Sequence, residues 1–91
     1  MNLFSAAFKT LKNVLGGFVI KEMNTLANYG ATKMSLRLKQ NKSGEYYVVL
    51  AELSGGNSQY VSLTTEEFDQ FAEAVIAMRD ALRERSGTSV G

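Results

Sequence analysis

The sequence contains no cysteine, no histidine and no tryptophan. Without cysteine the chain cannot form a disulfide scaffold. Without cysteine and histidine it has no thiolate or imidazole ligand for a metal, and no Cys or His side chain for catalysis. No stretch reaches the roughly 18 to 20 apolar residues of a membrane-spanning helix. We therefore expect a non-catalytic protein that holds no metal or other cofactor, and we expect it to be intracellular, in the cytoplasm or nucleoid.

The composition is that of one globular domain. The chain has 91 residues, of which 45% are hydrophobic and 21% are charged, so wholesale disorder is not expected. Charge is unevenly distributed: residues 1–44 carry seven bases and one acid (net +6), and residues 45–91 carry three bases and eight acids (net −5), which together give the net charge of +1. This split favours a basic surface beside an acidic one, and with it an anionic partner.

The first residues have the pattern of a short amphipathic helix. Apolar side chains recur at three- and four-residue spacing over residues 2–15, and Gly16 and Gly17 end the pattern. Three roles stay open for this helix: docking on its own domain or on a partner subunit, anchoring at a membrane surface, and a cleavable presequence, which would mean organelle targeting by residues 1–17. The main domain is expected over residues 18–87, with a frayed tail at 88–91.

The centre of the chain changes to a two-residue period, which predicts strands. Residues 18–23 predict a short first strand, and residues 24–31 are ambiguous. Further strands are predicted over residues 32–39, 45–53 and 59–63, with turns at 41–44 and 54–58. Thr64 and Glu67 form a capping box that begins a long helix, which Gly87 closes. The expected fold is α+β: a four-stranded antiparallel curved sheet (a meander) followed by one long helix, with the extra N-terminal helix.

One face of this sheet must cover the apolar stripe of the long helix. That face is expected to carry Met34, Leu36, Leu38, Tyr47, Val49, Ala51, Val61 and Leu63. The opposite face is then expected to carry Ser35, Arg37, Lys39, Tyr46, Val48, Leu50, Glu52, Tyr60 and Ser62. Basic side chains can hold phosphates, and tyrosine rings beside them can stack on nucleobases. The same tyrosines can equally be cross-strand pairs, with the aliphatic residues covered by the N-terminal helix or by a second subunit.

The run from residue 36 to residue 58, LRLKQNKSGEYYVVLAELSGGNS, resembles the purine-rich-element-binding (PUR) repeat, a four-stranded antiparallel sheet followed by one helix. The shared features are a strand ending in Lys39-x-Asn41, a turn glycine at Gly44, an aromatic residue at Tyr46, the ending Ala51-Glu52-Leu53, and a glycine-rich loop. The order of elements is also similar to that of transcriptional positive cofactor four and the Whirly proteins, which bind single-stranded DNA.

The PUR resemblance implies that the chain binds single-stranded DNA or RNA as a homodimer with one repeat per chain. It also implies that Lys39 and Asn41 contact bases and that Tyr46 stacks on one. Two positions depart from the family pattern, because Ser43 and Glu45 stand where the family usually has arginine. An acid at residue 45 would repel phosphates and weaken binding.

The predicted nucleic-acid-binding residues are Arg37, Lys39, Asn41, Lys42, Tyr46 and Tyr60. The alternative is an interaction module in which residues 2–15 bind a partner protein or a membrane surface and the sheet is only a scaffold. An enzyme is the weakest interpretation: Glu66 and Glu67 lie in the first helical turn, where acids serve capping, and the glycine-rich loop at residues 54–57 lacks the Lys-Ser/Thr of a phosphate-binding loop.

Overall fold

The computed structural model describes residues 13–86, in which residues 13–15 are helical. Across this range the chain forms the strands β1 (Phe18–Ala27), β2 (Thr32–Gln40), β3 (Tyr46–Ser54) and β4 (Asn57–Leu63), followed by the helix α1 (Thr65–Ser86). The strands follow one another in the sheet in the order β1-β2-β3-β4, and each pair is antiparallel. The predicted α+β meander and helix are confirmed. Most of the predicted N-terminal helix, the closing Gly87 and the predicted tail lie outside the described residues.

The first strand is longer than predicted. β1 continues through the ambiguous residues and pairs with β2 as far as Ala27, which lies opposite Thr32. A one-turn connection, Asn28–Gly30, joins the two strands with positive φ angles of 51° at Asn28, 56° at Tyr29 and 91° at Gly30. Asparagine and glycine are the residues that adopt this left-handed conformation most readily. The sequence did not indicate the extension because β1 is an exposed edge strand, whose side chains need no apolar alternation.

The third strand has the opposite phase to the one predicted. Residues directly opposite each other in an antiparallel pair share a face, and β2 and β3 pair Leu38 with Val48 and Leu36 with Leu50. Tyr47 is paired with Lys39 instead. The predicted grouping of Tyr47, Val49 and Ala51 with the leucines of β2 is therefore wrong.

The physical reason is that β3 is buried on both faces. Every residue from Tyr46 to Ala51 is apolar or aromatic, so alternation along the strand assigns no phase. In the structure Tyr47, Val48, Val49 and Ala51 are all buried although they point alternately to opposite sides. Only the strand register distinguishes the two faces.

The two faces of the sheet differ in chemistry. The apolar face carries Met23 of β1, Leu36 and Leu38 of β2, Val48 and Leu50 of β3, and Val61 and Leu63 of β4. The basic face carries Glu22 of β1, Lys33, Ser35, Arg37 and Lys39 of β2, Tyr47, Val49 and Ala51 of β3, and Tyr60 and Ser62 of β4.

The helix α1 begins at the predicted capping box. The backbone N–H of Glu67 donates to Thr64 Oγ1 at 3.1 Å, and the backbone N–H of Thr64 donates to Glu67 Oε1 at 2.9 Å. These two bonds satisfy donors that the start of a helix leaves without partners. They fix where the chain leaves β4 and so direct the helix onto the apolar face.

Only the first turns of α1 lie against the sheet. Phe68 and Ala72 are half-buried, and a cavity of about 340 Å³ between Phe68 and the apolar face is lined by Leu36, Leu38 and Val48. Farther along, the apolar stripe of the helix is open to solvent. Its exposed side chains are Phe71, Val75, Met78 and Leu82.

Candidate nucleic-acid interface

The structure divides the predicted nucleic-acid-binding residues between three places. Arg37 and Lys39 lie on the basic face, and Tyr60 joins them there because it pairs with Ala51. Tyr46 pairs with Gln40 and points to the apolar face, so its predicted position on the same face as Arg37 and Lys39 is wrong. The other two predicted residues, at positions 41 and 42, lie in the turn between β2 and β3.

Lys39 is a buried cation that already has partners. Its side chain is only 5% exposed, and its Nζ donates to the carbonyl oxygens of Asn13 at 3.0 Å and Val14 at 2.7 Å. The last carbonyls of a helix lack intrahelical donors and carry partial negative charge. The Lys39 ammonium therefore caps the C-terminal end of the helical residues 13–15.

Tyr47 supports the same contact from the neighbouring strand. Its hydroxyl lies 2.8 Å from the carbonyl oxygen of Asn13 and 3.3 Å from that of Gly16, and it donates to one of them at a time. The Nζ of Lys39 lies 6.0 Å from the centre of the Tyr47 ring, within reach of a cation–π attraction. Sequence reasoning missed Tyr47 as a site residue because it placed this side chain on the other face.

Burial shifts the pKa of both donors. Desolvation lowers the pKa of the Lys39 ammonium, because removal from water disfavours a charged group, and the nearby Arg37 guanidinium lowers it further. Desolvation raises the pKa of the Tyr47 phenol, since here the charged form is the deprotonated one. Both shifts reflect a contact from which water has been largely removed.

A glycine allows the chain to pass close to Tyr47. Gly17 has a φ of 73°, in the left-handed region, and a Cβ at this position would collide with the Tyr47 hydroxyl oxygen. One further contact holds the same stretch, since Nδ2 of Asn13 donates to Oγ of Ser62 at 3.0 Å. Residues 13–17, hereafter the strap, thus lie against one end of the basic face.

Arg37 is partly neutralised. Its Nε lies 3.5 Å from Oε1 of Glu22 and donates to Oγ of Ser35 at 3.3 Å. Because both charged side chains of this ion pair are partly exposed, the pair contributes little to stability. The guanidinium has five N–H donors and uses only one of its nitrogens in these contacts, so it can still bind a second anion.

Asn41 has a structural role in the turn. Its Oδ1 accepts from the backbone N–H groups of Ser43 and Glu45, both at 2.9 Å, and its Nδ2 donates to Oε1 of Glu45 at 3.1 Å. Gly44, with a φ of 87°, completes the turn. The Asn41 side chain is therefore occupied within the turn, whereas Lys42 beside it is exposed.

A cleft separates the strap from this turn. It measures about 570 Å³, and Asn41, Lys42 and Tyr47 line it together with Asn13, Gly16, Gly17 and Ser43. A second cleft of about 520 Å³, which shares Asn13, Asn41 and Tyr47 with the first, includes Glu45, Tyr46 and Glu66. The first cleft contains an exposed cation and the second contains two carboxylates, so an anionic ligand is favoured only in the first.

The chain matches no family model, no curated protein and no solved structure. Within residues 13–86 no cluster of acidic side chains has the grouping of a metal site, and no helix in that range has the length and hydropathy to cross a membrane. The resemblance to PUR repeats stays a prediction, and the function must be argued from the geometry of the two faces.

Proposed function

We propose that the protein is a non-catalytic, single-stranded nucleic-acid-binding homodimer. The observation that carries this proposal is the alignment of Lys33 and Arg37 along one face of β2, with the buried Lys39 next on the same face and the exposed Lys42 at the cleft. Cations along one strand match the repeating charge of a phosphodiester backbone. This function favours an intracellular location, in the cytoplasm or nucleoid.

A single strand suits this surface better than a duplex. Tyr60 on the basic face is 37% exposed, and an exposed ring on a sheet can stack on an unpaired base. The cleft beside Lys42 has the volume of an ordinary small-molecule site, which is large enough to receive one nucleotide. A base that is paired inside a duplex can neither stack on Tyr60 nor enter the cleft.

The apolar face and the open stripe of α1 support the homodimer. Val75, Met78 and Leu82 are 52%, 71% and 66% exposed, and a continuous apolar patch of this kind marks an interaction surface. The charges of the helix favour a second copy as the occupant. Its first half carries only acids, Glu66, Glu67, Asp69 and Glu73, and its second half carries three bases, Arg79, Arg83 and Arg85, beside two acids, Asp80 and Glu84.

Two copies of α1 packed antiparallel would therefore place the acidic first half of each helix against the second half of the other, whose three bases and two acids leave a net charge of +1. An arrangement of this kind is self-complementary, as a twofold dimer requires. Closure of the stripe by a partner would also leave the exposed Lys42 of both copies available. Two linked sites would then bind one strand more tightly than either site alone.

The experiment that tests the nucleic-acid role is a titration of labelled single-stranded oligonucleotides, read by fluorescence anisotropy, with two matched variants. Lys42→Gln removes the exposed cation of the cleft and is expected to weaken binding and to reduce the slope of log K against log salt by about 0.7. Lys21→Gln removes an exposed cation that pairs with Leu38 on the apolar face and is expected to change neither. Equal losses in both variants would contradict the proposed site.

The alternative interaction module stays a prediction. Residues 2–12, which hold most of the amphipathic pattern, lie outside the described residues. Binding of the wild-type protein to vesicles or to a partner protein, with no affinity for any oligonucleotide, would favour that function over the nucleic-acid role.

A further inference from the structure

The strap occupies two side-chain hydrogen-bond donors of the basic face. The ammonium of Lys39 and the hydroxyl of Tyr47 both lie within hydrogen-bonding distance of one acceptor, the carbonyl oxygen of Asn13. A second carbonyl, that of Val14, accepts from the same ammonium at 2.7 Å. Two donors that converge on one oxygen form the geometry that binds a phosphate oxygen, with carbonyl oxygens in its place.

We propose that residues 13–17 are an internal competitor of the nucleic-acid ligand, which a phosphodiester must displace to reach Lys39 and Tyr47. This inference rests on the proposed nucleic-acid role of the basic face. In the closed form the ligand meets only the outer cations, Lys33, Arg37 and Lys42. In the open form it also gains the two inner donors.

The contacts are suited to exchange. The strap is held at this end of the face by hydrogen bonds from Lys39, Tyr47 and Asn13, and Leu15 within it is 75% exposed. A phosphate carries a full negative charge, whereas each carbonyl carries a partial one, so Lys39 gains electrostatic attraction in the exchange. The cleft of about 570 Å³ between the strap and the turn is lined by Tyr47, so it brings the ligand to the first of the two donors, and Lys39 becomes accessible only when the strap moves.

Gly17→Ala is the variant that opens the strap. The added Cβ collides with the Tyr47 hydroxyl and would be held at a φ of 73°, so either the Tyr47 side chain or the backbone of residue 17 must shift, and in both cases the contact between Tyr47 and the strap is weakened. Gly55→Ala is the matched control, because Gly55 has open space around its Cβ position and no positive φ. If the closed form holds about 90% of the molecules, opening is expected to tighten binding by about tenfold.

Binding of single-stranded oligonucleotides is measured for the wild type, Gly17→Ala, Gly55→Ala and the double variant Gly17→Ala/Lys39→Met, with circular dichroism to verify that each is folded. We expect Gly17→Ala alone to bind more tightly, with a salt slope steeper by about 0.7, and the double variant to lose this gain. If Gly17→Ala binds no more tightly than the wild type, the proposed competition between strap and ligand is wrong. The proposed function would still stand in that case, provided that the wild type binds the oligonucleotide.

A second measurement does not depend on Gly17. The chain has no cysteine, so Leu15→Cys introduces a unique site for a nitroxide label. Saturating oligonucleotide is expected to increase the mobility of this label in the electron paramagnetic resonance spectrum, because the ligand displaces the strap. Unchanged mobility at saturation would overturn the inference. Absence of oligonucleotide binding in every variant would overturn the proposed function, and the inference with it.

Discussion

The Nζ of Lys39 lies 2.7 Å from the carbonyl oxygen of Val14, across 25 residues of the chain. This contact joins one end of the basic face to the end of the helical residues 13–15. It explains why a lysine near the end of a strand is 5% exposed, since charged groups are rarely buried unless they are paired. It also means that this cation is not free in the closed form.

Loss of this contact should lower stability. Lys39→Met keeps most of the side-chain volume but leaves the Val14 carbonyl without its donor, and hydrogen bonds from charged donors contribute about 1.5–3 kcal/mol each. We expect the free energy of unfolding in urea to fall by about that amount. Lys33→Met, on the same face and half-exposed, should change it by less than about 0.5 kcal/mol. Equal effects of the two substitutions would contradict the capping role of Lys39.

The capping box of α1 offers an independent stability test. Thr64→Ala removes the hydroxyl that accepts from the N–H of Glu67, and such a loss typically costs about 1 kcal/mol. Thr65→Ala changes the same residue type at the next, equally exposed position, whose hydroxyl does not accept from the N–H of Glu67. Thermal unfolding should show a lower midpoint for Thr64→Ala only. The capping assignment is wrong if the Thr65→Ala protein melts at the lower temperature.

Alkaline pH should report on Tyr47. Burial raises the pKa of its phenol, so the stability that the neutral hydroxyl supplies is fully present below the pKa of the unfolded state and is lost as the pH rises through the folded pKa. Tyr47→Phe should remove the most alkaline part of the rise in phenolate absorbance and reduce the alkaline loss of stability. Absorbance titration and urea unfolding measure the two effects. If Tyr47→Phe instead removes absorbance at the lowest pH of the rise, the burial of Tyr47 is contradicted.

The homodimer is tested on the open stripe of α1. Val75→Asp places a charge in the centre of the proposed contact, and burial of an unpaired charge is costly, so the variant should be monomeric in light scattering after size-exclusion chromatography. Ala77→Asp adds the same charge about 180° around the helix from Phe68 and should leave the wild-type mass unchanged. A monomeric wild type would contradict the proposed dimer.

Local sequence signals predicted most of the fold. The turn at residues 41–44 and the Thr64–Glu67 box depend on short-range chemistry, and both are confirmed. β1 was underestimated because an exposed edge strand has no apolar alternation. The phase of β3 was wrong because Tyr46, Tyr47, Val48 and Val49 are consecutive apolar or aromatic residues, and only the pairing with β2 determines which face each occupies.

The candidate site was predictable only in part. The alternation along β2 brought Arg37 and Lys39 together as expected, and Tyr60 joined them through the pairing of β3 with β4. The error in the β3 phase assigned Tyr46 to the basic face and removed Tyr47 from it. No sequence pattern indicated that Lys39 binds the carbonyls of residues 13 and 14, because a contact between residues so distant in the chain depends on tertiary packing.

The most direct test of the central claim is the affinity of the wild-type protein for single-stranded DNA and RNA at several salt concentrations. We predict binding whose log K falls linearly with log salt, by about 0.7 for each phosphate that the basic face neutralises. The outer cations Lys33, Arg37 and Lys42 set a slope of about −2, which steepens toward −3 if Lys39 is also released. Absence of binding to either nucleic acid at low salt would contradict the account.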